Sequence, residues 1–288
     1  MRQELSCITG SVKRPKISIV TPCRNSAPLI GETIDSILRQ AAVLSGRIEL
    51  EYLICDGAST DNTLEIVRSF SDPRIKVSSI QDGGMYEALA RGLSMVTGDI
   101  CAYLNAGDYY HKTAFDVVAE LFRNEGVLWL TGMEVSYNEK GQFIRCQVPF
   151  KYRREFIQKG IYGTKLHFVQ QESTFWSREL LRYVDLQRLA EFRLAGDGYL
   201  WHQFSTVTDL YIVASYLGGF RQTPGQLSAT NLDVYLQELA TFSVPGRTLL
   251  DHARVAYDRL CWHLPPRLKK ALNRRTLFTY STERRGFV

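Results

Sequence analysis

Four times in the first half of the chain a short apolar run gives way to a polar, turn-forming stretch and then to apolar residues three and four apart. Ile17-Ser18-Ile19-Val20 stops at Thr21-Pro22-Cys23-Arg24-Asn25, after which Ile30, Ile34, Ile37 and Leu38 recur at helical spacing. The run 50–55 (LEYLIC) stops at Asp56-Gly57-Ala58-Ser59-Thr60-Asp61, and Asp61 is placed to cap a helix carrying Leu64, Val67 and Phe70. The run 75–80 stops at Gln81-Asp82-Gly83-Gly84, before Met85, Leu89, Leu93 and Val96. The run 100–104 stops at Asn105-Ala106-Gly107-Asp108, before Phe115, Val118, Ala119 and Phe122. Continuous apolar runs of this length suit strands buried on both faces, and the wider spacing suits helices that bury one. Repeated strand, short loop and helix predict an α/β fold, a mostly parallel, Rossmann-like sheet with helices on both faces.

Each of the four loops contains Asp or Asn. Taken singly, these are turn residues or helix caps. Together they lie at one edge of a parallel sheet, the edge where ligands bind.

Composition narrows the classes. The 288 residues, 45% hydrophobic and 23% charged, are ordinary globular usage for one large domain with an extension, or for two domains. No apolar run approaches the roughly 18 residues of a spanning helix, and the N-terminus lacks a signal-peptide core, so a cytoplasmic protein is expected. Cysteines at 7, 23, 55, 101, 146 and 261 show no metal-ligand spacing and read as reduced, mostly buried hydrophobes. The net charge of +5 is concentrated in residues 267–288, which hold seven Lys and Arg against one acid. No nucleic-acid partner is expected from so local an excess.

Neither GxGxxG after the first strand nor GxxxxGK[ST] is present, so neither a dinucleotide fingerprint nor a P-loop supplies phosphate binding. A divalent cation, manganese or magnesium, held by a strand-terminal carboxylate such as Asp108 would neutralise a pyrophosphate instead.

The motifs TPCRNSAPLI, ICDGASTDNT, QDGGMYEALARG and TGDICAYLNAGDYY, with QQESTFWSREL, RLAGDGYLWHQF and LGGFRQTPGQLS further on, resemble those of the family 2 inverting glycosyltransferases with a GT-A nucleotide-sugar-binding fold, in particular bacterial members that build surface polysaccharides. The likeness runs from about residue 15 to 228. It implies that Thr21 and Pro22 line the nucleotide pocket, that Asp56 meets the base or ribose, and that Arg24, Asp82, Tyr86 and Asn105 belong to the same nucleotide-binding set. It places Asp108 at the second acid of a DxD-like metal motif whose first acid is Gly107 here.

In the second half, 129–134 and 143–148 read as strands flanking a turn at 138–141. Gln171 and Glu172, among hydroxyls, suit sugar hydroxyls, and Trp201 is placed on the sugar side, whereas Phe175 and Trp176 read as core. Asp197 lies in Ala195-Gly196-Asp197-Gly198, small residues that leave room for a ligand, ahead of an apolar helix face. On its own it is as well read as a helix cap. The family likeness makes it the catalytic base of a single displacement at the anomeric carbon.

The expected organisation is an N-terminal extension 1–14, a GT-A domain 15–230 with a nucleotide-binding half 15–110 and an acceptor-side half 111–230, and a helical, basic extension 231–288. In that extension Leu249, Leu250, Ala253, Ala256, Tyr257 and Leu260 recur at helical spacing, and the basic end with Leu268, Leu272, Leu277 and Phe278 suits an anionic membrane surface. The expected activity is metal-dependent, inverting transfer from a nucleoside diphosphate sugar, UDP-sugar favoured, to a saccharide or lipid-linked saccharide in O-antigen, capsule or exopolysaccharide synthesis. The alternatives are a sugar-nucleotide nucleotidyltransferase, against which the first loop has one Arg and no Gly, and a silent nucleotide-binding scaffold.

Overall fold

The computed structural model describes residues 14–223 and 231–288. The repeating apolar runs become β1 (Lys16–Cys23), β2 (Glu49–Asp56), β3 (Ile75–Ser79) and β4 (Ile100–Tyr103). They pair in parallel in the order β4-β1-β2-β3, with Ile17 opposite Leu50 on one side and Ile100 on the other. Between them run helices α1 (Ile30–Leu38), α2 (Ala41–Leu44), α3 (Thr63–Ser69) and α4 (Met85–Met95). Right-handed crossovers put the helices leading from β1 out to β3 on one face and α4, which leads back, on the other. Ile17, Ile19, Tyr52, Ile54, Cys55, Cys101 and Ala102 are wholly enclosed between these layers. Burial pushes the Cys101 thiol up to about 12, as an inert core cysteine requires, and the described cysteines are all free.

The sheet then grows on the far side of β4. After β5 (Tyr109–Tyr110) and α5 (Ala114–Asn124), β6 (Trp129–Thr131) enters it, and β7 (Glu134–Tyr137) and β8 (Phe143–Gln147) form the hairpin of a second, four-stranded sheet. The run expected as one strand over 129–134 is therefore two, because the backbone turns at Gly132 and leaves one layer for the other. β9 (Thr174–Ser177) lies antiparallel between β4 and β6, followed by α7 (Leu186–Glu191) and α8 (Gly196–Ser205), with the short α6 (Arg154–Gln158) before it. β10 (Tyr211–Val213) and β11 (Gly218–Arg221) complete the described part of the expected transferase domain, whose residues 224–230, including the end of the LGGFRQTPGQLS motif, lie outside the described residues, as does the N-terminal segment 1–13.

The C-terminal segment is not a separate appendage. Its strand β12 (Leu277–Phe278) pairs in parallel with β10 and forms the edge of the eight-stranded sheet, order β12-β10-β6-β9-β4-β1-β2-β3. Leu277 is buried in the core and Phe278 stacks on Tyr211 at 5.7 Å, so these two residues, expected at a membrane surface, belong to the sheet. Asp61 caps α3 from one residue further out than a standard N-cap, accepting the Thr63 N–H at 3.0 Å, and its other oxygen takes the Ala27 N–H at 3.1 Å, tying two loops together.

Candidate active site

The chain runs from β1 outward to β2 and β3, then returns to β4 on the opposite side of β1. A crevice opens beyond the strand ends at such a reversal, and it gathers the loops after β1, β2, β3 and β4.

On the β1–β3 side, Thr21 is buried with its hydroxyl 3.0 Å from that of Tyr52, Pro22 is buried beside it, and Arg24 stands exposed just past the strand. Asp56 ends β2 fully enclosed. Its carboxylate accepts the Ser59 N–H at 3.0 Å and the hydroxyls of Ser59 and Ser79, the latter at 2.6 Å. Burial pushes its pKa up, but these hydrogen bonds outweigh it and hold the group below the usual carboxylate range. Asp82 pairs with Arg91 at 3.5 Å, and Arg91 donates to the Asp56 carbonyl at 3.2 Å, so α4 bridges the two acids. The Arg91 Nε–H is buried and makes no hydrogen bond among the described residues.

On the β4 side, Thr33 of α1 holds the loop by accepting the Gly107 N–H at 2.9 Å and donating to the Asp108 carbonyl at 2.8 Å. Gly107 has φ of 108°, where a side chain is strained, and a Cβ there would lie 3.1 Å from Leu29, so this backbone suits glycine and not an acid. Asp108, 5% exposed, accepts the Arg221 N–H at 2.8 Å, while the Arg221 guanidinium reaches the Gly107 carbonyl at 3.0 Å and the Glu32 carboxylate. Asn105 donates to Gln171 at 3.3 Å, and Gln171 donates to the Tyr103 carbonyl. Glu172 is buried beside Asp108. Burial raises both carboxyls above their usual range, the Asp108 charge pushes Glu172 further up, and Arg221 partly offsets the effect at Asp108.

Asp197 sits in the first turn of α8, half-buried, accepting the Gly198 N–H at 2.7 Å and the Tyr86 hydroxyl at 3.4 Å. Crowding by protein pushes its pKa up to about 6, an effect that these two donors only partly offset. Tyr86, expected with the nucleotide, thus has its hydroxyl at Asp197 and at the Leu194 carbonyl, 3.1 Å away. The space expected for a ligand at Gly196 holds the Tyr86 ring, which a Cβ would approach to 2.4 Å. Trp201 turns into the core and stacks on Trp129 at 5.6 Å. One edge of it and Asp197 line a cavity of about 30 Å³ with Tyr162, Phe168, Tyr235 and Leu239, room for a water and not for a sugar ring.

Sequence reasoning missed two contributors from the helix Leu232–Ala240. Tyr235 approaches Asp197 across that cavity, and the Glu238 carboxylate takes the N–H groups of Arg193, Leu194 and Ala195 at 2.7, 2.9 and 2.8 Å. Glu238 lies more than forty residues from its partners and Tyr235 nearly forty from Asp197, so no local pattern signals them.

The family model described as Glycosyl transferase family 2 matches residues 18–184, more than half of the chain. This chain belongs to glycosyl transferase family 2. A chondroitin synthase of Pasteurella multocida is 32% identical to it over 116 residues, 40% of this chain and 12% of that protein. A PGL/p-HBAD biosynthesis glycosyltransferase of Mycobacterium tuberculosis is 29% identical over 163 residues, 52% of this chain and 62% of that one. The chain thus spans a small part of the first relative and less than two thirds of the second. Among solved structures, S. aureus TarS in complex with UDP-GlcNAc superposes with a TM-score of 0.62 at 16% identity, covering 88% of this chain and 69% of that chain. The mannosyltransferase PcManGT from Pyrobaculum calidifontis, in complex with GDP-Man and Mn2+, gives 0.55 at 18% identity, covering 90% and 72%. At these identities the likeness is one of fold, the GT-A fold of the family.

For a divalent cation the family 2 site offers oxygen donors. Among the described residues no three His, Cys, Asp or Glu side chains converge to cage a metal. Asn105 Oδ1 and Glu172 Oε1 are nevertheless buried and take no hydrogen bond among those residues, beside the Asp108 carboxyl. A hard cation that binds one or two carboxylates and is completed by phosphate and water fits this donor set.

Proposed function

We propose that this family 2 chain transfers a sugar from a nucleoside diphosphate sugar, UDP-sugar favoured, to a saccharide or lipid-linked saccharide with inversion, in the assembly of a bacterial surface polysaccharide. The observation that carries the reading is Asp197, a carboxyl with a pKa of about 6, half-exposed at the start of α8 beside the strand-end crevice. In a single displacement the acceptor oxygen bonds to the anomeric carbon as the bond to the diphosphate oxygen breaks. The diphosphate leaves with the electron pair, and Asp197 takes the acceptor's proton. A carboxyl titrating near neutrality is ionised in the cell and holds that proton better than an ordinary aspartate.

The rest of the assignment follows the loops. Thr21, Pro22, Asp56 and Asp82 form the nucleotide end, where Arg91 ties the two acids together. Gln171 and Glu172 face the sugar, whereas Trp201 has a packing role and Tyr86 orients Asp197. Asp108, with Asn105 and Glu172, would hold manganese or magnesium, which when bound neutralises the diphosphate. Binding of UDP-GlcNAc by TarS and of GDP-Man with Mn2+ by PcManGT supports this choice of ligand.

A thermal-shift panel of nucleoside diphosphate sugars, with and without manganese, tests the reading, since a ligand raises stability by RT ln(1 + [L]/Kd). At least one UDP-sugar should raise the midpoint, and more so with manganese. A panel in which no sugar nucleotide shifts it overturns the proposal.

A further inference from the structure

The apolar stripe of the helix Leu249–Trp262 faces outward. Leu249, Ala253, Ala256, Tyr257 and Leu260 follow one another at intervals of four, three, one and three, which is one face of a helix, and all five are exposed, Leu249 by 90% and Leu260 by 74%. The inner face is the charged one. Asp251 and Asp258 are buried and held by Lys159 at 2.6 Å and by a two-pronged contact from Arg153 at 2.7 and 2.8 Å, beside the buried Trp262. A surface helix of a soluble domain is ordinarily arranged the other way round.

The outward charge of the segment itself has one sign. Asp251 and Asp258 are the only acids between residues 244 and 280, and both point inward. The exposed charges of that segment are Arg247, Arg259, Arg267, Arg274 and Arg275, with Arg254 and Lys270 half-exposed. Two of them already meet acids, Arg254 with Glu155 at 3.4 Å and Arg275 with Asp209 at 3.1 Å. The next helix, Pro266–Leu272, repeats the arrangement, with Leu268, Ala271 and Leu272 outward and Lys269 buried.

We propose that the outward face of the Leu249–Trp262 helix, continued by Leu268 and Leu272, is a docking surface that lies in the headgroup region of an anionic lipid bilayer. Leucines and a tyrosine along one face, bordered by arginines, match the acyl boundary and the phosphates above it. A nucleic acid would leave the leucines with nothing to bury against. A two-fold contact with a second copy would bring like-charged arginines together along the seam. The inference is independent of the transfer reaction, because none of these residues belongs to the site around Asp197.

Flotation of the whole chain with vesicles tests it. The protein should float with equimolar phosphatidylcholine and phosphatidylglycerol, float less as salt is raised, and stay behind with phosphatidylcholine alone. Leu249→Gln with Leu260→Gln should lower partitioning by roughly tenfold or more with no change in the unfolding midpoint, since both side chains are already in water. Leu44→Gln, at an exposed leucine on α2, should change nothing. Arg247→Gln with Arg267→Gln gives a second reading, weakening binding to the anionic vesicles only. Failure to float, or flotation untouched by both double variants, overturns the proposal. So does a dimer in light scattering that the leucine variant dissolves without any vesicle binding, because the stripe would then be covered by a second copy.

Discussion

As the proposed base, Asp197 has to be ionised before the reaction and a good proton acceptor during it, and an aspartate in water meets only the first demand. Raising its pKa from 3.8 to about 6 serves the second without losing the first at neutral pH. The consequence is a measurable limb. Activity as kcat/KM should fall about tenfold per unit as pH drops below about 6, because the protonated carboxyl is no base, and should level off above it. Asp197→Asn keeps the shape and removes the basicity. It should lose roughly 10²–10⁴ in kcat while binding the donor as tightly as the parent in calorimetry, and a fully active variant would move the search to Glu172. Asp108→Asn should behave differently. The amide oxygen can still accept the Arg221 N–H, so the fold survives, but nucleoside diphosphate binding should weaken and stop responding to manganese.

At the scale of elements, the question is what holds the start of α8 still. Ala195 at its N-cap has no side chain to accept the free backbone N–H groups, and Gly196 lets the Tyr86 ring sit against the backbone. Glu238 holds the segment leading into the helix instead, its carboxylate gathering the N–H groups of Arg193, Leu194 and Ala195 just before Asp197, while the Gly198 N–H is taken by Asp197 itself. Charge-assisted bonds of this kind contribute about 1.5–3 kcal/mol when one partner is removed. Glu238→Ala should therefore lower stability in urea by about that much and reduce kcat more than it raises KM. Glu238→Gln, with one acceptor oxygen left, should recover part of both. A variant that loses stability but keeps kcat and the pH limb would reduce Glu238 to a structural clamp.

For the whole molecule, the eight-stranded sheet is closed at one edge by β12, from the far end of the chain. Around that strand Lys269 donates to the Val148 carbonyl, Asn273 donates to the Phe150 carbonyl at 2.8 Å, and Ile212 donates to the Thr276 carbonyl at 2.7 Å. Removing residues 267–288 would uncover β10 as an open edge and leave the Val148 and Phe150 carbonyls and the Ile212 N–H unanswered. The truncated chain should melt well below the parent or aggregate, as read by calorimetry and light scattering. A soluble truncated protein with an unchanged midpoint would show that the C-terminal strand is dispensable.

The first four strands and their helices were legible because each is local. The runs of β1, β2 and β4, buried on both faces, need no partner's identity to be recognised, β3 is a largely exposed edge strand, and each loop's polar break marks the strand end where ligands gather. The motifs carried the family, and the strand-end acids Asp56, Asp82 and Asp108 were legible with them. What those acids touch was decided by the fold, which spends the Asp56 carboxylate on Ser59 and Ser79 and sets Asp108 against Arg221, more than a hundred residues away. The C-terminal helix shows the limit most plainly. Its periodicity specifies a helix with one apolar face, yet a period of 3.6 does not say which face meets the protein. That choice was made by Lys159 and Arg153, whose buried partners Asp251 and Asp258 pull the charged side inward and leave the leucines outside.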